Sequence, residues 1–505
     1  MRSFLKYIIF PTVILAALIL AGIVTTARYL YQEDTFVVYT RALEKEVVWQ
    51  EPRHPSLSFV FSAIKFFYVP DPSQNFETIS SQDITPHLLN NPPLNVGPSP
   101  ARKAAAPVSA FSKISVTTES EFLNALNSAR AGDVIVIAPG DYHFKRYNIG
   151  LLNKGFKDHP ITLRAEKLGD VTLKLDTLEG FFVTGAYWKI ENLIIEGNCR
   201  YDGHCEHAFH IVGNAHHITI KNNIVKNFNA HIKINGLSGR NPDYGLIAHN
   251  IFYNDAPRKT SSSVTLIDSV AASHWRVKGN IIADFAKLYG DHTSYGGFFK
   301  GGGKSNIFER NLIMCQWRHQ GGTRLGLSFG GGGTGAAYCP NNDCSTEHYN
   351  GIIRNNIIMN CPRDVGIYLN RSADTIINNN ILYHTHGIDV RFDTTTARIF
   401  NNVIDGRVRN RDGGFHQATN NIISFFSAAT LSSIVNEIYQ NPRLGNFDIQ
   451  DVTKLKKQGV SARNLGKGIC GQKHENRESD IGPFNLQTKT SCQMNLDFIE
   501  KYIGP

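Results

Sequence analysis

After position 113 the apolar residues recur in short bursts with no helical stripe. A few β-branched residues alternate with polar ones, an Asn follows, and two or three apolar residues come next. The pattern reads Trp188-Lys-Ile-Glu-Asn192-Leu-Ile-Ile, Ile218-Thr-Ile-Lys-Asn-Asn223-Ile-Val, Leu246-Ile-Ala-His-Asn250-Ile-Phe, Trp275-Arg-Val-Lys-Gly-Asn280-Ile-Ile and Ile307-Phe-Glu-Arg-Asn311-Leu-Ile, and returns at Asn356, Asn380, Asn402 and Asn421. Successive asparagines are 31, 27, 30, 31, 45, 24, 22 and 19 residues apart. Alternation with a period of two predicts strands. A repeat of this length made of short strands predicts an all-β solenoid, a right-handed parallel β-helix. Each turn lays its strands on those of the previous turn, and inward Ile, Leu and Val stack into one core. An Asn at each corner tolerates left-handed backbone, and its amide can bond to the Asn one rung away.

The pattern also sets boundaries. The β-helix is expected over residues 113–426, with residues 427–505 capping the open C-terminal edge. The interval from Asn311 to Asn356 exceeds one turn and is rich in glycine, so a long excursion is expected there, where binding sites usually lie. Residues 91–112 are rich in Pro, Ala and Ser and read as a linker, and residues 28–90 give no clear pattern. At the start, Arg2 and Lys6 precede an apolar run from Tyr7 to Val24, long enough to span a bilayer. Basic residues before that run keep the N-terminus in the cytoplasm. Residues 1–27 are therefore expected as an uncleaved transmembrane helix, a signal-anchor with the main domain periplasmic or extracellular. The alternative is a cleaved signal segment and a secreted protein, for which Thr25-Thr26-Ala27 is permissive.

Cysteine and charge refine this picture. Eight cysteines, an even number, fit an oxidising compartment. Cys199 and Cys205, and Cys339 and Cys344, bracket short loops that a disulfide could close. Cys470 and Cys492 could staple the tail. Cys315 and Cys361 occupy similar places in successive repeats, either as a pair or as buried thiols. Zinc spacing of the CxxC kind is absent. The net charge of +9 favours polyanionic partners. No RNP, helix-turn-helix or zinc-finger pattern occurs, so nucleic acid is not an expected partner. The run Gly331-Gly332-Gly333-Thr334 lacks the Gly-Lys-Ser/Thr ending of a phosphate loop. His204, Glu206, His207 and His210 form a polar cluster, but on a strand they point to both faces, which favours structural or substrate contact over a metal.

The stretch Glu119-Ser-Glu-Phe-Leu-Asn-Ala-Leu-Asn-Ser-Ala-Arg-Ala-Gly-Asp-Val-Ile-Val-Ile-Ala-Pro-Gly-Asp-Tyr142, the segment Pro160-Ile-Thr-Leu-Arg-Ala165 and the tail motif Arg477-Glu-Ser-Asp-Ile-Gly482 resemble the β-helical polysaccharide lyases of the chondroitinase-B and alginate-lyase type. The resemblance covers residues 114–484. It implies a capping helix, an acidic polysaccharide as partner, and a catalytic rung in which a Lys followed by Ser is the base and an Arg one turn later the acid. Lys304-Ser305 and Arg324, 20 residues on, match by type. Calcium-using members carry acids a few positions before that Lys. Here Tyr295-Gly-Gly-Phe-Phe299 stands instead, so either no cofactor is used, with Lys300 supplying the positive charge in place of the metal, or the site is not a lyase site.

β-Elimination of a uronate needs the carboxylate neutralised, a base for the C-5 proton and an acid for the O-4 leaving group. Lys304 as base requires a nearby cation such as Lys300 or Arg324. Arg318 or Arg324 could clamp the carboxylate. Tyr295, His292 and His319 are further proton-transfer candidates, and Asp389 and Arg391 complete a basic groove expected from Asp291 to Asp393. Asp364, Asp389 and Asp393 could instead serve glycoside hydrolysis, but the adjacent-Asp and Arg-x-Lys features of polygalacturonases are missing. The expectation is a lyase, or an epimerase sharing the same proton abstraction. The alternative is a non-catalytic glycan-binding or cell-envelope scaffold protein.

Overall fold

The computed structural model describes residues 96–99, 112–424, 433–462, 465–474 and 479–486. The expected membrane segment, residues 28–90 and Cys492 lie outside them. Among the described residues no helix is long and apolar enough to cross a membrane.

Three long parallel sheets build the solenoid, and from the strand His207–Val212 onward each turn adds one strand to each. The first holds twelve strands, from Ser112–Val116 to Phe415–Thr419, and the second eleven, from Gly140–Lys145 to Ile422–Ser424. The third holds eight, from His207–Val212 to Arg407–Arg411. Stacked parallel strands joined turn by turn are consistent with the right-handed β-helix expected from the repeat. Ile220, Ile247, Val277, Phe308 and Ile353 line one inward row, and all are fully buried. A helix over Glu119–Ser128 closes the N-terminal end. Its N-cap Thr118 accepts from the Glu121 backbone, the Glu121 carboxylate accepts from the Thr117 N–H, and Phe122 packs on Phe144 at 5.0 Å between centroids.

The corner between the first and second sheets carries the asparagine ladder, with two corrections. It begins at Asn223 and continues through Asn250, Asn280, Asn311, Asn356, Asn380 and Asn402 to Asn421. Asn192 stands one position earlier, at φ 63°, and bonds to Asn222 instead. The left-handed backbone belongs to the residue before each ladder Asn: Asn222, His249, Gly279, Arg310, Asn355, Asn379, Asn401 and Asn420. One residue takes the sharp turn, and the next turns its amide inward.

That left-handed column also holds the flanking chain. Asn222 bonds to the backbone of Ser99 in both directions, and Val96 is fully buried, so this piece of the expected linker is packed onto the solenoid. Asn355 donates to the Leu465 carbonyl, Asn379 to those of Asp480 and Gly482, Asn401 to that of Val460 and Asn420 to that of Gln458. Val435, Ile438, Tyr439, Phe447 and Phe484 join a buried cluster with Ile357, Ile381 and Val403 of the second sheet. The described C-terminal residues therefore cover a flank. The strands Arg407–Arg411 and Phe415–Thr419 of the last turn are largely exposed, and residues 425–432 and 487–505, which include much of the expected cap, lie outside the described residues.

Disulfides join Cys199 to Cys205, Cys339 to Cys344 and Cys315 to Cys361. Cys470 is also disulfide-bonded. The partner expected for it, Cys492, lies outside the described residues.

Candidate functional site

Strand register sorts the third sheet into rows. Phe209, Ile232, Ile267, Gly297, Leu327, Ile367 and Ile388 form one that faces the core. Its neighbour on the opposite face runs His210, Lys233, Asp268, Phe298, Ser328, Tyr368, Asp389, Arg409. Two residues further along the strands, Asn235, Val270 and Lys300 continue the face, followed on later turns by Asn370, Arg391 and Arg411. Side chains two apart share a face and stacked strands lie about 4.8 Å apart, so polar and aromatic groups far apart in sequence form one wall.

Lys300, Asp389 and Arg391 belong to this wall by register, and Tyr295 joins it by packing against Tyr368. The Lys300 ammonium donates to the Gly332 carbonyl at 3.2 Å and sits over the Phe298 ring at 4.8 Å. Tyr295 meets Phe298 edge-on at 5.5 Å. Arg391 donates to the Tyr368 hydroxyl oxygen at 3.2 Å, and the Asn370 amide donates to the same oxygen at 3.1 Å. With its oxygen accepting twice, Tyr368 still carries its own O–H as a donor. Asp389 is held by Arg409 at 2.7 Å and Arg411 at 2.5 Å and is almost wholly buried, so it orders the two arginines. Asp393 lies beyond the end of the strand Gly387–Arg391, after Phe392 turns the chain through φ 76°.

Burial, reinforced by the nearby Asp389 charge, raises the Asp364 carboxyl to about 6. Burial, then the charges of Tyr368 and Asp364, pushes the Tyr295 phenol up. Tyr295 packs with Tyr368 and with Val365, the neighbour of Asp364 in the chain. The earlier turns add a second polar group. His210 bridges Glu179 at 3.1 Å and Asn235 at 2.8 Å, Lys233 pairs with Asp268 at 2.9 Å, and burial holds the His207 imidazole down at about 3.

The expected pairing of Lys304 with Arg324 does not occur. Arg324 stands opposite Ser294, at the beginning of the strand Thr293–Lys300. Lys304 lies past the other end of that strand, exposed in the two-residue strand Gly303–Lys304, and pairs with Tyr349. The six residue steps from Ser294 to Lys300 span about 20 Å. The Arg324 guanidinium is buried, donates to the carbonyls of Gly321 and Cys315, and meets His319 Nδ1 at 3.1 Å. Burial pulls it down to about 9, and His319 to about 4.

Arg318 is likewise no carboxylate clamp. It donates to Asp284 at 3.1 Å, Asp255 at 3.2 Å and the Asn254 carbonyl at 2.9 Å, and covers the Tyr253 ring at 4.6 Å. Asp284 also accepts from the backbones of Trp317 and Arg318. Arg318, His319 and Arg324 thus tie the turn between the second and third sheets. His292, at φ 55°, marks the corner before Thr293–Lys300, and its carbonyl accepts from the Thr323 backbone. Sequence reading missed Tyr368, Asn370, Phe298 and Lys233. Only strand register, which depends on the length of every intervening turn, brings them onto one face.

Residues 116–235 match the family model for chondroitinase B. That stretch contains the N-terminal helix and the opening turns, and with them the first two segments that carry the sequence resemblance but not the tail motif. No curated protein matches the chain. Among solved structures, pectate lyase Pel9A is similar with a TM-score of 0.49 at 14% identity, over 75% of this chain and 97% of that one. An alginate lyase from Paenibacillus sp. str. FPU-7 gives 0.35 at 17%, over 62% and 96%. A mannuronic acid specific polysaccharide family 6 lyase from human gut microbiota gives 0.38 at 14%, over 62% and 79%.

Proposed function

The chain has a polysaccharide-lyase-like β-helix, and we propose that its third-sheet face binds an acidic polysaccharide and cleaves it by β-elimination, outside the cytoplasm and with residues 1–27 as anchor. The observation that carries the reading is the Tyr368 hydroxyl, which takes hydrogen bonds from Arg391 and Asn370 on the same face as Lys300. Arg391, which also pairs with Asp412, and Lys300, three rungs away, neutralise uronate carboxylates of the bound chain, which acidifies the C-5 proton. Asp364, raised to about 6, is a base suited to neutral pH. It takes the C-5 proton, the C-4–oxygen bond breaks, the electron pair forms the C-4–C-5 double bond, and Tyr368 gives its proton to the departing oxygen. An epimerase would use the same abstraction and return the proton to the opposite face.

The experiment is ultraviolet absorbance of the unsaturated product across alginates, chondroitins and pectins, with Tyr368→Phe, Asp364→Asn and Lys304→Ala beside the unmodified chain. The first two variants should lose product and Lys304→Ala should keep it. Loss with Lys304→Ala alone returns the base to that residue. Binding without product from any polymer leaves a glycan-binding scaffold.

A further inference from the structure

A second basic site lies on the first sheet, around the solenoid from the wall described above. Arg276, Lys278, Arg310, Arg354, Lys467 and Lys473 surround a cleft of about 580 Å3 between that sheet and the C-terminal segment. Among the described residues its one lining carboxylate is Glu309, already bound by Arg276 and, at 2.6 Å, by Arg354. Among the described residues Lys278, Arg310, Lys467 and Lys473 form no ion pair. The buried Nε of Arg310 has no hydrogen-bond partner, and neither does the buried Nδ1 of His474 in the same lining. Burial first, then the charges of Arg276 and Arg310, pulls the Lys278 ammonium down. A fold that gathers this many like charges over one neutralised acid destabilises itself unless an anion arrives.

The shape says what kind of anion. Lys278 also lines a second cavity of about 440 Å3, shared with Lys221, Leu246, Ala248 and His249. Lys221, Ala248, Lys278, Glu309 and Arg354 stand in one register row across five strands. Four steps of about 4.8 Å make a basic strip about 19 Å long, parallel to the solenoid axis. Guanidinium forks suit carboxylate or sulfate oxygens. The small apolar surface of Leu246 and Ala248 suits the face of a sugar ring. Among the described residues neither cavity is lined by Phe, Tyr or Trp on which nucleic-acid bases would stack.

We propose that this cleft is a second holding site for a polyanionic glycan, gripping a chain along the first sheet away from the third-sheet wall. The inference takes the acidic glycan from the proposed function and does not depend on cleavage. The test is retardation of the full chain in gels containing alginate, at several salt concentrations. Lys278→Glu/Lys473→Glu removes two cations that form no ion pair among the described residues, and Lys300→Gln/Arg391→Gln reports the other wall. The cleft pair should weaken binding about tenfold, or about 1.4 kcal/mol, and flatten its salt dependence. Retardation and salt dependence unchanged in the cleft pair overturn the proposal. So does a single-stranded DNA of equal charge that displaces alginate at lower concentration. Because the readout is binding, a chain that yields no unsaturated product still decides it.

Discussion

Asn311 and Asn356 are 45 residues apart, yet the Asn356 side-chain oxygen accepts both the backbone N–H of Asn311 at 2.9 Å and its amide N–H at 3.0 Å. The intervening chain adds a third-sheet strand, Thr323–Phe329, and then a glycine-rich loop closed by Cys339–Cys344, before it returns to the same corner. The excursion is therefore an outward addition, and the rungs beneath it stay in register.

The ladder makes a sharp stability prediction. The Asn311 oxygen accepts the backbone and amide N–H groups of Asn280, and its own amide donates to the Val277 carbonyl at 2.9 Å. All of this is buried. Asn311→Ala strands several backbone and amide groups away from water, so a loss of roughly 2–4 kcal/mol is expected. Asn421, half-buried on the last rung, should tolerate Ala at roughly 1 kcal/mol. Urea unfolding of both variants followed by circular dichroism checks the difference. Equal losses would deny the ladder its role.

The same ladder shows how far the sequence could be read. The Asn-Ile repeat marks the corner between two sheets because that corner is short and nearly constant, so eight of nine asparagines were assigned to it correctly. Asn192 was misplaced by one because Glu-Asn192-Leu looks like Asn222-Asn223-Ile without its first Asn. The candidate site depends on the other corners, whose lengths vary. Lys304 and Arg324, 20 residues apart, looked one turn apart. At this point a turn takes 30 residues from Ser294 to Arg324, and 45 from Lys304 to Tyr349. Tyr368 reaches the wall by the same arithmetic, which no local motif carries.

On the third-sheet wall, the two kinds of contact separate in kinetics. Tyr368→Phe keeps the ring and removes the hydroxyl, so kcat should fall by about 100-fold or more with little change in KM. Lys300→Ala removes the cation over Phe298 and should raise KM as well as lower kcat. Initial rates on a polyuronate of fixed length distinguish them. A Tyr368→Phe enzyme with unchanged kcat removes that residue from proton transfer.

The disulfides should differ in weight. Cys315–Cys361 closes a separation of 46 residues around the excursion, whereas Cys339–Cys344 closes 5 within it. In the chain-entropy model replacing the first pair by serine costs about 4 kcal/mol and the second about 2 kcal/mol. Thermal unfolding under oxidising conditions should show the larger drop for Cys315→Ser/Cys361→Ser. A larger drop for the short loop would mean that native packing around Cys339 and Cys344, and not loop closure, sets the effect.

Asp364 should move stability and activity in opposite directions over one pH range. Its carboxyl titrates near 6 in the folded chain, raised from 3.8 chiefly by burial and then by Asp389. The folded state therefore holds this proton more tightly than the unfolded state does. The resulting stabilisation is complete below the unfolded value and is lost as pH rises through 6. Its size is of order 1–3 kcal/mol. Asp364→Asn, which cannot ionise, should melt close to the unmodified chain at pH 4 and above it at pH 7.5. As a base, Asp364 works only when ionised, so cleavage should rise through pH 6, where this stabilisation declines, and Asp364→Asn should lack that limb. Melting curves and initial rates at matched pH test both halves. A cleavage profile flat from pH 5 to 7 would remove Asp364 as the base, whatever its effect on melting.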